Sequence, residues 1–340
     1  MSSESKHIQF HKNPPLRGLG GIFLLLILFI LDLAWGNTRI PLSDVINTFL
    51  GNGRDEIHSE ILMNFRLPKA ITAILAGSAL SVAGLMMQTL FRNPLADPYV
   101  LGVSSGASLG AALVMMSAGF VVGNAGSWIV VIAAISGAAL VMMLVVGVSF
   151  KVQSAVSLLI VGIMFGTIVS SIVGVLQYFS NPDAVKLFIM WNLGSLSAVT
   201  WEHLRILTPV ILLGLILTFT MQRRLDGLLL GENYAKGLGI SIIQTRILIV
   251  VTTSILAGAI TAFTGPIGFV GIAVPHVARG IFRTANHRTL IPASILLGAI
   301  LILICDIVSQ IPTYTLPINT ISSLFGAPVI IWIILRRKAP

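Results

Sequence analysis

Side chains able to do chemistry are scarce in this 340-residue chain and stand apart from one another. His276 and His287 have no acid or cysteine at metal-ligand spacing, and no H-E-x-x-H run occurs. No G-x-x-x-x-G-K-[ST] loop is present to cradle a nucleotide. No catalytic residue, metal site or cofactor is therefore expected. Cys305, the one cysteine, lies in an apolar run, reads as a small buried hydrophobe and leaves no disulfide framework. Asp32 and Asp306 lie near the ends of apolar runs, and His276 follows a proline; in a bilayer such groups can serve ion coupling, but each reads first as a boundary or packing residue. What remains is Arg223 to Arg246, RRLDGLLLGENYAKGLGISIIQTR, the longest polar interruption in the second half of the chain. Its middle can form a short helix with Glu232 in the first turn and Gly239 as a stop, presenting Leu228, Leu229, Ala235 and Leu238 to something other than water. Such a helix can dock into a partner's groove or lie among lipid headgroups, and spacing does not choose between them.

The elements that carry these residues follow from composition. The chain is 56% hydrophobic and only 10% charged, with a mean hydropathy of +0.97, against about 25% charged in soluble domains. Apolar runs of about 20 residues, the length that crosses a bilayer, recur throughout. Ten crossings are expected, at 17–36, 69–91, 101–120, 127–149, 155–178, 204–222, 246–264, 267–283, 290–308 and 316–336. Runs of this length without period-2 alternation are helices, so the fold class is all-α: one polytopic membrane helical bundle over 1–340, with a tail at 1–16 and an extramembrane loop at 223–246. The first run is longer than a signal-peptide core, and Asp32 with Trp35 makes a poor cleavage site, so a retained first span is expected.

Lysine and arginine set the orientation. With both termini in the cytoplasm, that side receives Lys6, Lys12, Arg17, Arg92, Lys151, the 223–246 loop, Arg279, Arg283, Arg288 and Arg336-Arg337-Lys338. Turns 121–126 and 309–315 on the other side carry no cation. The net charge of +9 is thus a topology signal, and cations scattered over loop ends do not form a nucleic-acid stripe. At an offset of 181, Ala76-Gly77, Gly84 and Pro94 recur as Ala257-Gly258, Gly265 and Pro275. Copies five crossings apart would run in opposite directions, as in inverted repeats.

Gly102, Gly106 and Gly110 fall on one helix face and allow close approach of a neighbouring backbone; Ser104, Ser105 and Ser108 beside them can bond within the bundle. Two segments break apolar stretches: Asn93-Pro94-Leu95-Ala96-Asp97-Pro98 and Gly265-Pro266-Ile267-Gly268-Phe269-Val270-Gly271. They read either as broken helices beside a water-filled path or as tight turns at the surface.

Taken in order, these segments resemble a known family. Arg66-Leu67-Pro68-Lys69, Ala76-Gly77, Gly84, Gln88, the 93–98 segment and Leu101-Gly102-Val103-Ser104 are similar to the opening signature of FecCD-type permeases, the membrane subunits of ABC importers for iron-siderophore complexes, haem and cobalamin. Gly231-Glu232-x-x-Ala235-x-x-Leu238-Gly239 resembles the family's ATPase-coupling segment, and Gly265 to Arg279 and Leu316 to Pro328 its later signatures. The resemblance implies a ten-helix subunit of a bacterial cytoplasmic membrane that pairs with a second copy around a translocation path. It implies two cytoplasmic ATPases docked on the coupling segments and an extracytoplasmic binding protein docked at Arg66 and Lys69, where lysine replaces the commoner arginine. It places an inner gate near Gln153, Ser154 and Ala155, a turn equally explained as a helix cap, and a path near Ser104, Ser105 and Gly106. An ion-coupled secondary transporter is the competing class.

Overall fold

The computed structural model describes residues 14–36, 38–53, 55–116, 124–152, 154–312 and 314–336. The first part of the chain forms α1 (Pro14–Ala34), α2 (Leu42–Phe49), α3 (Glu56–Glu60), α4 (Leu67–Phe91), α5 (Val103–Met115), α6 (Asn124–Ser149), α7 (Ala155–Phe179) and α8 (Pro182–Asn192). There follow α9 (Trp201–Thr220), α10 (Gln222–Leu230), α11 (Glu232–Gly237), α12 (Ile242–Thr264), α13 (Val270–Phe282), α14 (His287–Ser309) and α15 (Ile318–Arg336). Seven helical stretches are long and apolar enough to cross a membrane, and shorter apolar helices at Val103–Met115, Val270–Phe282 and Ile318–Ile331 occupy the third, eighth and tenth expected crossings.

One boundary moves substantially. The second crossing was expected to begin at 69, yet the helix is continuous from Glu56 to Phe91. Its turns widen to π geometry over Ile61–Arg66, directly before Pro68. Proline lacks an N–H and its ring crowds the carbonyl four residues back, and a wider turn accommodates both without breaking the helix.

Helix α4 is the axis of the bundle, buried at nearly every position from Pro68 to Phe91 and packed against α14, α12 and α13. Small residues make this possible. A Cβ at Gly77 would collide with the Gly298 carbonyl and one at Gly84 with that of Gly271, so only glycine lets these backbones touch. Ser81 Oγ donates to Ser294 O at 2.7 Å across the α4–α14 seam. Helix α12 is the second buried element, packed on α4, α6 and α9. By contrast α1 and α7 are peripheral, with 11% and 22% of their most apolar windows buried.

The two halves follow one pattern of element lengths: α4, α5, α6 and α7, then α12, α13, α14 and α15, each with a 13-residue second helix. Packing follows suit, α4 lying against α14 and α12 against α6. The residue matches at offset 181 do not follow it, since Gly84 sits inside α4 whereas Gly265 caps α12. The correspondence lies in the elements, not in those glycines.

Candidate functional site

A polar cavity of about 390 Å³ opens between α5, α7, α8 and the start of α15. Ser104, Ser105 and Ser108 line it from α5 and Ser170, Gly174 and Gln177 from α7, with Asn192, Pro266 and Asn319 beside the apolar Val173 and Phe188. Ser104 and Ser105, expected near a path, and Ser108 and Pro266, singled out as bundle hydroxyl and helix breaker, all line it, whereas nothing in the sequence analysis pointed to Ser170, Gly174, Gln177, Asn192 or Asn319. For α7 a signal was present, because Ser170, Gly174 and Gln177 stand at i, i+4 and i+7 in a mostly apolar helix, which puts them on one face. Gly106, expected on the path, is instead packed on α6, where a Cβ would meet Gly137 O. Gly110 is likewise packed against Ala133, so this glycine face is a helix seam.

The two breaker segments are bound to each other inside the protein. Gly162, seven residues or about 10 Å into α7, touches Val100 and Leu101, so the first breaker leaves an exposed Leu95 and then enters the bundle as a short 3-10 helix at Pro98–Leu101. Its polar groups are satisfied locally: Asp97 Oδ1 accepts from Tyr99 N at 2.9 Å, and Gly102 N donates to Tyr99 O at 2.9 Å. Tyr99 Oη then accepts from Thr261 Oγ1 at 3.2 Å and from Ile267 N at 3.3 Å, in the second breaker. His276 Nε2 donates to Pro94 O at 2.9 Å, and Gln88 bridges Arg279 to the Gly271 carbonyl. Thus His276, Gln88 and Arg279 brace the two segments. Beyond them, Ser195 N donates to Thr264 O at 2.7 Å and Gly268 N to Asn319 Oδ1 at 2.9 Å. Gly265 adopts φ +75° facing the Trp191 carbonyl, a conformation that disfavours any side chain.

At one end of the bundle, α10 and α11 form the expected hairpin, hinged at Gly231 with φ +121°. The expected outward face is partly reversed. Leu228 and Ala235 are buried within the chain, and Leu229, Leu230, Tyr234 and Leu238 are exposed. Successive helical residues point about 100° apart, so Ala235 packs beside Gly227 while Tyr234 and Lys236 on either side of it are exposed. The hairpin is fastened by Arg92, which donates to Leu228 O at 3.0 Å, and by Asp226, whose carboxylate lies 2.7 Å from His287 Nδ1 and accepts from His287 N. Sixty-one residues separate that pair, so no local motif reveals it.

Of the three residues placed at an inner gate, Gln153 lies outside the described residues. Ser154 is exposed and caps α7, accepting from Ser157 N at 3.0 Å, and Ala155 opens the helix. Fifteen residues of α7, about 22 Å, separate this turn from Ser170 in the cavity.

At the opposite end, Arg66 and Lys69, the residues expected to meet a binding protein, are not free surface cations in this chain. Both are buried, at 8% and 9% exposure. Arg66 donates to Leu33 O at 2.7 Å and to Thr38 O, while Lys69 Nζ pairs with Asp306 at 2.9 Å. Gln310 Nε2 lies 3.2 Å from both Asp306 Oδ2 and Asp32 Oδ1. The helix begins at Glu56 rather than beyond 66, so these side chains lie along its inner face against α1 and α14. Lys69 and Asp306 also line a second cavity of about 310 Å³ with Ser195 and Pro317.

A multi-pass helical bundle with two broken segments locked to each other, a polar cavity beside the second of them at Pro266, and a hairpin outside the apolar runs, is the architecture of a membrane transport permease. Residues 24–336 match the FecCD transport family, and the chain belongs to it. It is 35% identical to the uncharacterized ABC transporter permease protein YvrB of Bacillus subtilis, over 93% of this chain and 92% of that protein. It is 34% identical to the hemin transport system permease protein HmuU of Yersinia pestis, over 93% and 95%, and 33% identical to the vitamin B12 import system permease protein BtuC of Salmonella paratyphi A, over 92% and 93%. Its fold superposes with TM-score 0.84 and 28% identity on a solved inward-facing conformation of an ABC transporter assigned to the metal-chelate type, covering 95% of this chain and 99% of that one.

Proposed function

We propose that this chain is the permease of an ATP-driven importer and that two copies enclose a path for a metal chelate, an iron-siderophore complex, haem or cobalamin. The observation that carries this reading is the single-sided cavity. Ser170, Gly174 and Gln177 face it, while Ile160, Met164, Ile168, Ile172 and Val175 of the same helix are exposed, so a second copy could close the cavity and cover apolar surface. The named relatives import haemin and vitamin B12, which supports a bulky chelate as cargo.

In this reading the exposed Leu229, Leu230, Tyr234 and Leu238 insert into a groove of a cytoplasmic ATPase, with Gly231, Glu232, Ala235 and Gly239 shaping the hairpin. Both termini are cytoplasmic, and the membrane is the bacterial inner membrane. An extracytoplasmic binding protein docks at the Arg66 and Lys69 end; because Lys69 is engaged with Asp306, docking through it requires that pair to exchange partners. The test is transport by the chain reconstituted with its ATPase and binding protein, offering haemin, cyanocobalamin or a ferric hydroxamate. ATP-dependent uptake of one of them is expected. Uptake driven by a proton gradient without the ATPase would instead establish the ion-coupled class.

A further inference from the structure

Arg246, the fifth residue of α12, is 3% exposed and contacts two other parts of the chain. Its Nη1 donates to Val152 O at 2.9 Å, three residues before α7 begins. Its Nη2 reaches Glu232 Oε1 at 3.4 Å, in the first residue of α11. One planar guanidinium therefore ties the hairpin to the base of the helix that lines the polar cavity. A forked donor can hold two acceptors in fixed directions at once, which an ammonium on a flexible stem does not.

The two ends of this link differ in freedom. Helix α12 is buried along most of its length, whereas α7 buries only Leu158, Gly162, Val169 and Val173. A displacement of α11 is therefore resisted at α12 and passed on to α7, whose far half carries Ser170, Gly174 and Gln177. We infer that Arg246 is the positioning residue that transmits movement of the α10–α11 hairpin to α7 and so to the cavity. The inference rests on the functional reading above, in which an ATPase moves the hairpin.

The experiment uses the full complex with its ATPase and binding protein in proteoliposomes, with whichever of haemin, cyanocobalamin or ferric hydroxamate the wild type imports. A spin label at Ser154→Cys, in a Cys305→Ser background, reports the base of α7. In wild type, ATP with vanadate is expected to change label mobility. Arg246→Ala and the milder, more exposed Glu232→Gln are expected to abolish that change and to lower uptake per ATP hydrolysed roughly 5-fold or more, the ordinary scale of site-to-site coupling. Arg246→Lys should fall between them and wild type. The reciprocal exchange Glu232→Arg with Arg246→Glu restores the opposite charges but leaves Val152 O without its donor, so it should not restore coupling. Full coupling in Glu232→Gln and Arg246→Ala, or rescue by the exchange, overturns the inference while wild-type transport stands. A wild-type complex that neither imports nor responds to ATP overturns the functional reading itself, and the inference with it.

Discussion

Removing the charge of Lys69 should damage the fold more than removing the whole ion pair. Lys69 Nζ and Asp306 Oδ2 are 2.9 Å apart, with side chains 11% and 2% exposed. At an effective dielectric of about 20, opposite charges at that distance attract by about 6 kcal/mol. Desolvating each ion costs several kcal/mol, so the intact pair comes close to breaking even against an apolar replacement. Deleting one partner is different, because the remaining charge stays buried. In Lys69→Met, Asp306 and Asp32 keep Gln310 between them but lose the lysine, a loss of about 3–5 kcal/mol. Asp306→Leu should cost a similar amount by stranding the ammonium. The double variant Lys69→Met/Asp306→Leu should lose less than either single one. Denaturant titration in micelles, followed by tryptophan fluorescence, measures all four proteins. Single variants within about 1 kcal/mol of wild type, the worth of a solvated surface pair, would refute the reasoning and mean that water reaches the pair.

Gly77→Val and Gly298→Val each drive a side chain into the facing backbone and should abolish monodisperse protein, whereas Gly166→Ala, whose Cβ would meet nothing closer than Ser105 Oγ at 3.4 Å, should purify normally; size-exclusion profiles decide. Tyr234→Ala with Leu238→Ala removes only exposed surface in and just after α11 and should leave the permease folded while ATPase co-purification is lost, whereas Ala235→Asp places a carboxylate at a fully buried position and should lower melting temperature as well. Filling the cavity with Ser170→Phe should cut uptake at unchanged expression and ATPase binding; unchanged uptake would put the path elsewhere.

The amino-acid sequence by itself determined the order of the apolar runs, the place of the hairpin and where proline and glycine interrupt the runs, but not where the second helix starts or whether the interruptions lie inside the bundle. The features it determined depend on local properties: whether a run of residues can leave water, and where proline or glycine interrupts it. The family was legible for the same reason, since its motifs are short and ordered along the chain. The direction of individual side chains was not. The family resemblance marks Arg66 and Lys69 as docking positions, but it does not show that Arg66 bonds Leu33 O at the end of α1 or that Lys69 pairs with Asp306 on α14. Glu232 looks like a helix-start acid, yet it meets Arg246, whose other nitrogen reaches Val152. Tertiary structure alone decided these pairings. In a bundle that excludes water a buried polar group without a partner is costly, and which partner it finds is set by helix packing between residues as far apart as Asp32 and Gln310.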